Sequence, residues 1–233
     1  MNKTIYYEQK GVAMTCRSFK EYQDMFMLDE HLLKTGKVLD VASGASSFIS
    51  ELNKNGYKGI AVDPLYHLSV DEMVQFGEKE MLIANEKLET IKDSLAWDYY
   101  RNLTQHKEIR NQSFQQFIES YTLERGKTYI SAALPNLPFA DDSFSLILCN
   151  HFLFLYQNQF DLEFHKQALK EMIRVLKKGG TMRIYPLVGF KNELYPHLDT
   201  LLKEIKTNNI HFELHNTNFR FLPNATHFLQ INK

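Results

Sequence analysis

Several scarcities in this chain are informative. It has two cysteines in 233 residues, Cys16 and Cys149, too few for a disulfide framework or a four-thiolate zinc site. Cys149 lies in an apolar run and reads as a small core residue. Charge of neither sign dominates: 27 Lys and Arg stand against 28 Asp and Glu, a net charge of −1. That balance argues against broad, sequence-independent nucleic-acid binding, although it leaves room for a local basic patch. No apolar run approaches the ~20 residues that span a bilayer, so no membrane partner is expected. The opening MNKTIYYEQKGVAM lacks the apolar centre of a secretory signal, and the expected location is cytoplasmic. No group of His, Cys, Asp and Glu has metal-ligand spacing, so no metal is expected either.

What is present is ordinary for a globular protein, with 44% apolar and 24% charged residues. The length suits one α/β domain with a full core and an insertion. The most informative stretch is KVLDVASGASSF, Lys37 to Phe48. An apolar strand (Val38, Leu39, Val41) carrying Asp40 runs into a turn of small residues, Ala42, Ser43, Gly44, Ala45 and Ser46, that opens a helix. Such a turn offers bare backbone N–H groups and a helix N-terminus to a ligand above the sheet edge. A second strand, Gly59 to Val62, ends in Asp63 before Pro64. A carboxylate at that tip can accept both hydroxyls of a ribose, so the pair reads as a nucleoside-cofactor site. The competing reading is a tight strand-to-helix turn in any α/β protein, with Asp63 a turn or N-cap residue. Only Gly44 occupies a glycine position of a G-x-G pattern.

Along the chain, Ser18 to Glu21 has capping-box spacing and starts a helix whose apolar face includes Tyr22, Met25, Phe26, Leu28, Leu32 and Leu33. Strand one, a helix from about 46 to 53 and strand two follow. Leu65 to Lys127 shows no strand pattern; its apolar residues recur at helical spacing, as in Phe114, Phe117, Ile118 and Tyr121, and predict two or three helices. Strands are predicted at 128–131, 145–150 and 181–185. A helix over 162–176 is expected to stop at Gly179-Gly180, where glycine can take a left-handed C-cap. A helix over 197–207 precedes two strands, 210–214 and 227–231, with no helix between them. The expected fold is therefore α/β: a doubly wound, mostly parallel, seven-stranded sheet with an antiparallel C-terminal hairpin and a helical insertion after strand two. Residues 1–233 form a single domain in this reading, with 65–127 an insertion that covers the carboxyl edge of the sheet.

Three blocks, in this order, resemble the class I S-adenosylmethionine-dependent methyltransferases. They are VLDVASGASSF with IAVDP, LPNLPFADDSFSLILCNHFLFLY, and ALKEMIRVLKKGGTMRIYPL, where Lys178 stands at the family's proline. The terminal hairpin is similar too, since the family's sheet ends in an antiparallel pair that nicotinamide-binding Rossmann domains lack. Two departures are visible: Ala42 and Ser46 replace the outer glycines of the family's loop, and Ala133-Leu134 stand where the family often has Asp-Ala. The resemblance implies S-adenosylmethionine as cofactor, S-adenosylhomocysteine as product, and methyl transfer to an oxygen, nitrogen or carbon of a substrate, with the balanced charge pointing to a small molecule.

The resemblance further implies that Asp63 and Pro64 flank the ribose, that Asp40, Ala42, Ser43 and Gly44 form or orient the loop, and that Ala133 and Leu134 lie near the adenine. Asp40 is open to a second account, a buried strand acid bonded to backbone. Asn150 and His151 follow a strand at the ligand-binding edge. His151 could position substrate, act as a base or pack beside the sulfonium, against a purely structural role. Tyr185 sits at the same edge as a substrate contact or an aromatic plug. Arg17 could pair with the cofactor carboxylate or be a solvated helix-start residue. Trp97, Tyr99 and Tyr100 line a pocket or form a helical core stripe; His165 and Arg174 read as packing or surface groups. Two other functions stay open: a non-catalytic binding protein on the methyltransferase fold, and a nicotinamide-dependent oxidoreductase.

Overall fold

The computed structural model describes residues 9–233; most of the opening stretch without a signal-like core therefore lies outside the described residues. Seven strands form one sheet: β1 (Lys37–Val41), β2 (Lys58–Val62), β3 (Tyr129–Ile130), β4 (Phe144–Asn150), β5 (Leu176–Tyr185), β6 (His211–Asn216) and β7 (His227–Asn232). Their order is β3-β2-β1-β4-β5-β7-β6. The first five run parallel, and β7 is antiparallel to both β5 and β6. The order reverses between β1 and β4, which creates a crevice at their carboxyl ends.

Side-chain alternation explains why the sheet needs cover on both faces. Every residue of β4 is buried, as expected of a central parallel strand. Val38, Leu146 and Leu148 join a core on one face, while Leu39, Val41, Ile147 and Cys149 join the other. The first face is covered by α1 (Phe19–Phe26), α3 (Phe48–Lys54), α4 (Val70–Ile91) and α5 (Leu103–Glu124). The second is covered by α6 (Leu162–Val175) and α7 (Leu198–Ile205). The long α4 and α5 pack so closely that a Cβ at Gly77 would meet the Phe114 ring at 2.4 Å.

Two predicted helices differ in detail. The capping box at Ser18 and Glu21 forms, but α1 stops at Met27, which takes a left-handed φ of 50°. A separate α2 (Glu30–Lys34) then begins, with the Asp29 carboxylate accepting from the Leu32 N–H. The side-chain cap competes with helix continuation, and the apolar spacing across 22–33 conceals the break. The glycine C-cap after α6 is also corrected. That helix ends at Val175 with Leu176 extended, and Gly179 (φ 73°) instead turns the chain within β5, where its N–H donates to the Lys233 carbonyl at 2.6 Å. The register slip there, with Phe144 opposite Leu176 but Leu146 opposite Thr181, absorbs the extra residues.

Candidate functional site

The loop after β1 is built from below. Asp40 is fully buried and accepts from the Tyr22 hydroxyl at 2.9 Å and the Ser43 hydroxyl at 2.6 Å. Burial pushes its carboxyl up to about 7, against the pull of the Ser43 and Tyr22 donors, and the nearby Asp63 adds to the rise. Ala42 and Gly44 both take left-handed φ values, 55° and 56°. The loop's N–H groups are not bare. Ser43 N–H donates to the Val62 carbonyl (3.2 Å), Ala45 N–H to Thr15 (2.9 Å) and Ser47 N–H to Arg17 (3.0 Å). The start of α3 is therefore covered by an extended strap, residues 12–17, rather than offered to a ligand. This corrects the expectation of a free helix N-terminus; the strap has no hydrophobic period to betray it.

Asp63 joins the loop to the tip of β2. One oxygen accepts from the Gly44 N–H at 3.0 Å and the other from the Leu65 N–H at 2.9 Å, capping the short 3-10 turn Pro64–His67. Burial nevertheless raises its carboxyl to about 6, the two backbone donors opposing it. Each oxygen retains an acceptor site, and the residue lines a cleft of about 240 Å³. Ala42, Gly44, Pro64, Ala133, Leu134 and His151 line the same cleft. So do Phe152, Phe160 and Phe164, of which the last two stack at 4.2 Å. These three rings follow β4 without a regular spacing, and sequence reading missed them.

Five of the expected site residues do not line this cleft. Asp40 and Ser43 sit beneath the loop and do not line the cleft. The Tyr185 hydroxyl is spent on the Ala225 carbonyl (3.1 Å), and the residue lines neither this cleft nor its neighbour. Its ring is buried, as the aromatic-plug reading expects. Asn150 is buried, and its Oδ1 holds Nδ1 of His151. Because a guanidinium can only donate, the Arg17 contact at 3.3 Å makes Nε2 of His151 an acceptor and places the ring proton on Nδ1, facing Asn150. Burial, with Arg17, pushes the imidazole well below its ordinary range. Its lone pair is occupied, so this arrangement does not make His151 a general base.

Arg17 is neither solvated nor in the cleft. It is buried, lines a second cavity of about 120 Å³ and belongs to a charged cluster. Glu21 accepts from Arg17 at 3.0 Å and from Arg110 and Tyr100, while Arg110 also donates to the Cys16 carbonyl. Burial opposes the Glu21 charge, but Arg110 and Arg17 outweigh it and hold the carboxyl far below the usual range. The second cavity lies under α4 and α5, with Ala84, Leu88 and Ile91 from the former and His106 and Arg110 from the latter. It shares His151 and Ala13 to Thr15 with the first. Trp97, Tyr99 and Tyr100 do not line it; they pack against Phe219 and Phe221 behind its wall. His165 is a core residue whose ring bridges the carbonyls of Asp161 and Leu153. Among the described residues there is no cluster of three metal-ligating side chains, and no helix is long and apolar enough to cross a membrane.

Residues 95–184 match the family described as a methyltransferase domain. The chain is 33% identical over 229 residues to uncharacterized protein MJ0045 of Methanocaldococcus jannaschii, covering 98% of this chain and 99% of that one. Solved structures similar to it include a SAM-dependent methyltransferase from Aquifex aeolicus (16% identity, 86% of this chain and 83% of that one, TM-score 0.44). Another is the PH0226 protein from Pyrococcus horikoshii (16% identity, 92% and 88%, TM-score 0.45). The mostly parallel sheet ending in an antiparallel pair is the architecture of the methyltransferase domain that this family match describes.

Proposed function

We propose that the protein uses S-adenosylmethionine to methylate an oxygen, nitrogen or carbon of a small molecule. The observation that carries this reading is the pair of adjoining cavities at the switch point of the sheet, one edged by the Asp63 carboxylate and the other enclosed by the helical insertion, meeting at His151. The residues of the first cleft suit the cofactor. Asp63 has acceptor sites for ribose hydroxyls, Ala133, Leu134 and the Phe152, Phe160 and Phe164 rings suit adenine, and Ala42 and Gly44 leave room for the methionine portion. When bound, the cofactor supplies a methyl group on a sulfonium, which is already an activated leaving group.

The chain's task is then to align and to exclude water. The insertion helices and the strap wall the second cavity, and His151, locked between Asn150 and Arg17, forms a fixed partition between the two sites. Alignment of this kind can match effective molarities of ~10⁵ M or more. A second reading, a non-catalytic binding protein, is favoured by one feature: Thr15 and Arg17 already occupy loop N–H groups that a cofactor would use.

Calorimetry with S-adenosylhomocysteine on Asp63→Ala tests the reading. Loss of a charged hydrogen-bonding group should cost about 1.5–3 kcal/mol, or roughly 10- to 150-fold in Kd. Ribose hydroxyls favour the ionised carboxylate, so bound Asp63 must titrate lower than its free value of about 6. Wild-type affinity should therefore weaken as pH falls through 6, while Asp63→Asn should show no such dependence. Unchanged affinity in Asp63→Ala would remove Asp63 from the cofactor site.

A further inference from the structure

The second cavity has an unusual combination of size, wall and charge. Its wall is mostly apolar, with Leu88 and Ile91 on one side and Leu155 and Phe221 on another. At about 120 Å³ it is close to the ~150 Å³ apolar cavity that admits a benzene-sized guest. Yet two guanidinium groups reach it, Arg17 at 5% exposure and Arg110 at 8%. Glu21 is their shared counter-ion, and among the described residues no other carboxylate lies within 4.0 Å of either guanidinium. Tyr100 completes the cluster as a neutral hydroxyl, its proton held by burial. His106 and His151 are also kept neutral by burial and by the two arginines. The cluster thus carries one positive charge more than its partners neutralise.

Burying such an excess is costly unless something answers it. The polar atoms left over agree. Nε of Arg17, Nε of Arg110 and Nδ1 of His106 are buried with no hydrogen-bond partner, and all three residues line this cavity. Native proteins leave few such groups, and each calls for a ligand or a water. The His106 ring, stacked on Phe221 at 9°, adds a flat face beside the charge.

We propose that the methyl acceptor is a small organic anion, a single-ring or similarly compact carboxylate or oxyanion, whose charge is met by the Arg17–Arg110 pair. The apolar wall holds its body. The inference rests on the methyltransferase reading for the role of this cavity, but the anion preference can be measured independently of it.

Calorimetry with benzoate and its neutral isostere benzamide tests the proposal, first on the protein alone and then with saturating S-adenosylhomocysteine. Benzoate should bind at least 10-fold more tightly than benzamide, with or without the cofactor product. Arg110→Met leaves Arg17 balanced by Glu21 and should erase the discrimination. Leu88→Trp, which fills the cavity without touching the charges, should abolish benzoate binding while S-adenosylhomocysteine affinity holds; it serves if Arg110→Met does not fold, as judged by circular dichroism. Equal binding of benzoate and benzamide, or benzoate binding that survives Leu88→Trp, would overturn the proposal. So would competition between benzoate and S-adenosylhomocysteine, which would give the cluster to the cofactor's own carboxylate. Failure of S-adenosylhomocysteine to bind at all would instead count against the methyltransferase reading, leaving the benzoate result to stand or fall alone.

Discussion

Glu21→Ala should destabilise the protein by about 3–5 kcal/mol, the usual cost of stripping one partner from a buried ion pair. Glu21 is 1% exposed and serves two structures at once. Oε2 accepts from the Ser18 N–H at 2.8 Å and the Ser18 hydroxyl at 2.9 Å, closing the capping box of α1. Oε1 takes the charge of Arg17 and Arg110 and the hydroxyl of Tyr100. Its removal strands two buried guanidinium groups and frees the helix start, so the loss exceeds that of a cap alone, about 0.5–2 kcal/mol. Because domains are stable by only about 5–15 kcal/mol, a large drop in the urea midpoint is expected. Adding Arg110→Met should recover part of it, as a double-mutant cycle would show. A loss below about 1 kcal/mol would mean that solvent already compensates the cluster.

Gly44→Val should abolish or sharply weaken cofactor binding, for a reason different from the one its position in the motif suggests. Gly44 lines the cleft, but an added Cβ would first meet the strap, with the Thr15 oxygen at 2.9 Å and its nitrogen at 3.1 Å. Its φ of 56° is also left-handed, which costs a non-glycine residue about 1–3 kcal/mol and a β-branched one most. The valine would push the strap off the loop and open both cavities, which share Ala13 to Thr15. Calorimetry with S-adenosylhomocysteine should show the loss. Ala42→Gly is the control: Ala42 already holds a φ of 55°, so glycine there should be tolerated. Wild-type affinity in Gly44→Val would mean that neither loop nor strap bounds the cofactor site.

The sequence carried the parts of the fold that depend on periodicity. Apolar runs marked β1, β2 and β4, and the capping box marked the start of α1. Asp63, Pro64, Ala42 and Gly44 could be placed at one edge because strand ends and turn residues announce themselves locally. What escaped depends on distant partners. The strap is extended backbone whose hydrogen bonds go to a loop some thirty residues on, as in Ser46 to the Arg17 carbonyl. Arg110 and His106 lie on the inward face of α5, with Ser113, where a polar residue normally signals solvent. Only the buried charge of Glu21, from another helix, makes that face intelligible, and the capping box gave no hint of this second role. Tyr185 was open to two readings for the same reason: it sits at the ligand edge of the sheet, but carbonyls after β6 claim its hydroxyl.

The central claim is that the cleft beside Asp63 holds S-adenosylmethionine. Calorimetric titration of the wild-type protein with S-adenosylhomocysteine and, separately, with NAD tests it most directly. One S-adenosylhomocysteine should bind per chain, in competition with S-adenosylmethionine, and NAD should give no heat of binding. Saturable binding of NAD, or none of S-adenosylhomocysteine, would contradict it.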